Sequence, residues 1–218
     1  MNYLELRTLV AETAHRSDLS GNIPGFIAQA EALIASRVES RYMETSVTLS
    51  DLDRSGTSVV YSLPNDFLSA RSIATVGVPS NQRRTELRSL GFAESTFISH
   101  LPAETTNLVG YFLTGADTPS DRKMLIFPAP ALGVEISVSY FAIPAPLIND
   151  SDTTRLLTNQ GDLYLYGALK YLAVFIQDID MYQLYDRLFS DITTSDNDQT
   201  KKYYNLGAAQ MQGASAWV

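Results

Sequence analysis

Among the aspartates that stand two residues apart are Asp150 with Asp152, Asp178 with Asp180, and Asp196 with Asp198. Paired carboxylates are what a glycan hydrolase uses as acid and base, and what a calcium site uses as ligands. Each pair falls in a turn or at a helix start, where aspartate is favoured because its carboxylate accepts hydrogen bonds from backbone N–H groups. Capping and turn roles are therefore the expectation, with hydrolysis and calcium binding as alternatives. The two histidines, His15 and His100, are too few for a histidine-rich metal centre. His15 reads as a helix-ending residue and His100, just before Leu101-Pro102, as a loop residue facing solvent or a neighbouring chain. Cysteine is absent, which excludes disulfides, thiolate metal sites and thiol nucleophiles. No Gly-x-Ser-x-Gly elbow and no nucleotide-binding glycine pattern occurs. No catalytic, cofactor or metal residue is assigned.

Two further clusters suggest contact rather than catalysis. Arg83, Arg84 and Arg88 form the one local excess of positive charge, in a loop leading to a strand, and could meet solvent, acids of a neighbouring subunit, or DNA. Trp217, the single tryptophan, stands near the end of a tail of small uncharged residues. With Met211 and Val218 it could anchor that tail in a partner groove.

The elements that would position these residues begin with Asp162 to Ile192. At 100° per residue, its first run is apolar almost all round, with one polar line through Tyr166, Lys170 and Gln177. Such a helix must be buried on several sides, and it is too short for a membrane span, which needs about 20 apolar residues. Cover is expected from its own chain and from neighbouring copies. Gly167, Ala168 and Ala173 would let a neighbour approach closely, and the polar line would face a channel or an adjacent subunit. A second helix follows a break near Asp178 to Asp180, with Asp180 as its cap and Gln183 in the capping-box position.

Two helices open the chain, the first from Leu4 to about Arg16 and the second from Pro24 to Tyr42 or Met43. Residues 45–146 are rich in β-formers and turn residues, with strands expected at 46–49, 58–61, 71–78, 111–113, 124–127 and 134–142. The last two read as a hairpin across Pro128 to Gly133, and a short helix is expected over 91–97. The fold class is α+β: a helical bundle of residues 1–44 and 147–206, an inserted antiparallel β lobe of 45–146, and a flexible tail of 207–218. A chain of 218 residues with net charge −8 and no basic block is not built to grip phosphates. Its first residues lack the features of a secretory signal, so synthesis in the cytoplasm, with no membrane, is expected.

Four stretches, in order, resemble the head-to-tail adaptor proteins of tailed bacteriophages, the group that includes tail tubular protein A and the portal-bound accessory factors of short-tailed phages. They are Phe26 to Ile34 with its Ala-Glu step, Tyr61 to Leu68 with its Leu-Pro-x-Asp-Phe turn, Ile126 to Pro130 followed by the strand ending at Tyr140 to Pro144, and Leu163 to Leu169. The resemblance implies a structural protein of the virion without catalysis or cofactor. It further implies a ring, usually of twelve copies, joining the portal protein of the DNA-filled head to a tail tube or nozzle protein. The bundle would pack side by side around the ring, the β lobe would point outward or toward the tail, and the C-terminal tail would reach the portal. Twelve chains at −8 each would make an acidic wall along which double-stranded DNA slides without tight binding during ejection. A glycan hydrolase of a phage particle and a monomeric module binding through its β lobe remain the alternatives.

Overall fold

The computed structural model describes residues 1–49, 53–55, 58–76, 86–91, 110–114, 122–127 and 135–213. The chain divides into a helical unit, Met1–Met43 with Ile143–Val218, and a β unit, Glu44–Ala142. The α+β class is as expected, and the Pro144-Ala145-Pro146 stretch lies just past the return from the β unit.

In the helical unit, α1 (Tyr3–Ala14) starts at a capping box: Glu5 N donates to Asn2 Oδ1 at 2.9 Å and Asn2 N donates to Glu5 Oε2 at 3.0 Å. His15 ends it in the left-handed region at φ 52°, so the helix-ending reading of this histidine holds. Helix α2 (Ile23–Arg37) carries Pro24 in its first turn and buries Ile23, Phe26, Ile27, Ala30, Leu33 and Ile34. It stops five residues earlier than expected. Val38 turns to extended backbone, and the side chain of Asn197 donates to Arg37 O at 3.2 Å and accepts from Glu39 N at 2.9 Å. Those two bonds satisfy groups that a longer helix would have paired internally. A 3-10 turn, Arg41–Met43, then leads out of the unit.

The return is a short α3 (Arg155–Asn159), capped by Thr154, then α4 (Gly161–Phe175) and α5 (Ile179–Gly213). Helix α4 is the centre: it touches α1, α2, α3 and α5 and buries nine of its residues. Cover by its own chain is thus extensive. Gly167 lets α2 approach closely, since a Cβ there would lie 2.9 Å from the Ala30 Cβ of α2. Between α4 and α5 the chain reverses over Ile176 to Asp178. Gln177 is left-handed at φ 61°, Asp178 N donates back to Ala173 O, and Asp178 Oδ1 accepts from Met181 N at 2.9 Å. The cap is therefore Asp178 and not Asp180: a corner this tight starts the helix at once. Helix α5 also runs to Gly213, so residues 207–213 of the expected flexible tail are helical. Their Ala-Ala-Gln-Met-Gln composition has high helix propensity even though it lacks an apolar stripe.

In the β unit, one sheet has the order β1 (Glu44–Leu49), β8 (Glu135–Ala142), β4 (Phe67–Val76), all antiparallel. The other has the order β2 (Asp53–Ser55), β3 (Ser58–Ser62), β7 (Lys123–Phe127), β6 (Gly110–Thr114), β5 (Arg88–Ser89), with β5 and β6 parallel. The expected hairpin of β7 with β8 does not form. Each has two other neighbours, and their alternate side chains, Met124 and Ile126 against Ile136 and Val138, share one core between the sheets. Period-two alternation reports which face is buried, not which strand lies alongside. The short helix expected over 91–97 lies outside the described residues from position 92 on.

Candidate assembly surface

The four family-like stretches pair up in space, two in each unit. In the helical unit, Ala30 of the first stretch meets Gly167 of the fourth, and Glu31 accepts from Leu147 N at 2.9 Å, fixing the segment that returns from the β unit. Burial pushes the Glu31 carboxyl above its ordinary range, against the lowering effect of that backbone bond. In the β unit, the Leu-Pro-x-Asp-Phe turn meets the strand of the third stretch. Tyr140 Oη donates to Asp66 Oδ1 at 3.0 Å and its ring stacks on Phe67 at 5.5 Å. Burial, then the Asp66 carboxylate, raise the Tyr140 phenol to about 12.

The polar line of α4 turns inward. Lys170 is buried, its Nζ donates to Asp186 Oδ1 of α5 at 2.6 Å, and it lies 5.5 Å from the centre of the Tyr182 ring. Tyr166 stacks on Tyr185 of α5 at 6.2 Å. Tyr166 and Lys170 thus join two helices of one chain, with Tyr166 left half-buried. Ala168 and Ala173 are likewise buried in the chain's own bundle. Of the named residues of α4 and its corner, Gln177 alone is exposed. Arg88 lies exposed in β5. Arg83, Arg84, Trp217 and Val218 fall outside the described residues, and Met211 lies on α5.

The aspartate pairs divide: Asp150, Asp152 and Asp178 serve a turn or a cap as expected, but Asp196 and Asp198 lie inside α5, neither in a turn nor at a helix start. Asp152 accepts from Ile148 N and Asn149 N, which holds its carboxyl below the usual range, and Asp150 pairs with Arg7 at 2.9 Å. Asp196 is buried, accepts from Gln160 Nε2 at 2.5 Å, and has one carboxylate oxygen without a partner among the described residues. Burial raises its carboxyl above the ordinary value, opposed by hydrogen bonds from Ser40 and Gln160 and by Arg41. Among the described residues, no group of three or more histidine, aspartate or glutamate side chains is placed to hold a metal ion.

The sequence reading passed over the apolar side chains around the corner between α4 and α5. Val174, Phe175, Ile179 and Leu184 are 55, 54, 70 and 53% exposed. A groove of about 460 Å³ opens there, lined by Ala173, Val174, Gln177, Asp178, Ile179 and Tyr182. The signal was present in the sequence: a helix apolar on all sides has more apolar surface than its intrachain neighbours can cover.

A helical unit carrying an inserted β sandwich, with apolar side chains left exposed at a helix corner, has the features of an assembly protein. The sequence profile of the SU10 adaptor protein family matches residues 1–211, and the chain belongs to that family. This is a family of phage head-tail adaptors, so the protein is a structural component of the virion that associates with other virion components. Comparison with curated proteins returns no match. Among the described residues, no helix is long and apolar enough to cross a membrane.

Proposed function

We propose that this adaptor assembles as a ring, of twelve copies by likeness to its family, at the head-tail junction, between the portal protein and the first tail component, and that DNA passes through its centre. Membership of the adaptor family over residues 1–211 carries the reading. The apolar corner of the helical unit supports it, because exposed side chains of this size on a structural protein favour burial by a partner, at about 25 cal/mol for each Å² covered. The helical unit supplies the contacts between copies. The net charge of −8 per chain keeps the passing DNA from adhering, provided the acids line the bore. The C-terminal residues beyond α5, with Trp217 and Val218, reach the portal, and Arg83, Arg84 and Arg88 of the β unit contact a neighbour or DNA.

Light scattering after size exclusion, with and without portal rings, tests this. The expected result is a complex of portal with a whole ring of adaptors, even where the free chain is a monomer, because the platform can supply what a weak interface lacks. A chain that stays monomeric and leaves the portal unbound would sink the reading.

A further inference from the structure

A second surface of the helical unit has the opposite character to the corner. Arg37, Phe189, Ser190, Thr193 and Thr194 line a groove of about 320 Å³ between the end of α2 and the middle of α5. Phe189 is its fully buried apolar residue. Arg37 is exposed and makes no ion pair among the described residues. Thr193 is 8% exposed, and its hydroxyl has no hydrogen-bond partner among the described residues. The groove therefore offers a partner the cation of Arg37, unpaired among the described residues, beside the exposed Thr194. The corner offers the complement: Ile179, 70% exposed, beside Asp180, an exposed carboxylate with no ion pair among the described residues.

Resting on the ring reading, the geometry points to a head-to-tail contact between copies, in which Ile179 and Asp180 of one chain enter the groove of Arg37, Phe189, Ser190, Thr193 and Thr194 on the next. Knob and groove lie on one unit, but not in contact. From residue 179 to residue 194, α5 rises about 22 Å at 1.5 Å per residue, so a chain cannot fill its own groove with its own knob. A contact between two different patches is heterologous, and repeated by rotation it closes a ring. Asp180 meets Arg37 in a charge-assisted pair, which places Ile179 over the exposed Thr194.

The chain contains no cysteine, which makes the contact directly testable. Ile179→Cys and Thr194→Cys are prepared as separate full-length variants, mixed with and without portal rings, and treated with a mild oxidant. A disulfide needs Cα atoms within about 7 Å, so the expected product is a mixed dimer, formed in the mixture and by neither variant alone. Charge reversal supplies the second measurement: Asp180→Arg and Arg37→Asp each weaken assembly about tenfold or more, and the double variant restores it. Circular dichroism of each variant confirms that it is folded. If the chain assembles but yields no mixed dimer and ignores charge reversal, the inference is overturned and the ring reading stands. If it self-associates neither free nor on the portal, both fall.

Discussion

Lys170 and Asp186 provide the sharpest energetic test of the helical unit. The lysine side chain is 8% exposed and the aspartate 38%, so the cation, not the anion, depends on the pair. Asp186→Ala leaves an ammonium among apolar side chains with the Tyr182 ring as its remaining partner. Breaking a fully buried pair costs about 3–5 kcal/mol, and access of water past the half-exposed aspartate site reduces this to about 2–3 kcal/mol. At about 2–4 °C for each kcal/mol in a chain of this size, the melting temperature should fall by about 4–12 °C. Lys170→Met removes the buried charge, keeps most of the volume, and leaves Asp186 free to turn to water, so it should cost less than about 1.5 kcal/mol or stabilise. The double variant should resemble Lys170→Met. Urea unfolding followed by helical circular dichroism measures all three. Equal losses for the two single variants, or a neutral Asp186→Ala, would refute the reasoning.

Other outcomes follow from the same structure. His15→Gly and Gln177→Gly each relieve a left-handed residue and should raise the urea midpoint, by up to about 1 kcal/mol in stability. Gly167→Ala should lower stability despite alanine's better helix propensity, because its Cβ meets Ala30, and overpacking costs about 1–3 kcal/mol. Asp196 and Glu31 both have folded-state values raised by burial. Such groups stabilise most when protonated, and their contribution is lost as pH rises from the unfolded value through the folded one. Asp196→Asn should therefore gain stability over the parent at pH 7, with the gain shrinking toward pH 4 in a series of urea titrations. Tyr164, raised to about 12 chiefly by burial, stays neutral in the fold while the unfolded chain ionises near 10. Stability should fall through pH 10–12, by about 2.7 kcal/mol for two units, and ultraviolet absorbance should show this tyrosine titrating with unfolding.

The order of helices, β strands and helices was legible because the composition changes abruptly at Thr45 and reverts after Pro146. So was the central place of α4, since an all-round apolar surface has to be covered. Partnership was not legible. Lys170 reads as outward on a helical wheel, yet an acid sixteen residues later draws it inward, and one wheel contains no information about the opposing helix. Strands β7 and β8 each showed the right face while their neighbours stayed hidden, because alternation is the same for a hairpin and for two sheets sharing a core. Helix α2 was read too long because the residue that ends it, Asn197, lies 160 positions away. The apolar corner was overlooked for a related reason: Val174 and Phe175 look like core until the intrachain neighbours have been placed and leave each about half exposed, Phe175 even with Phe26 beside it.

An electron-microscopy reconstruction of the intact phage particle tests the head-tail role most directly. The expected map shows this chain as a closed ring between the portal and the first tail component, with its helical units side by side around a DNA-wide bore. The same chain found elsewhere in the particle, or at the junction as isolated copies without contact to one another, would contradict the assignment.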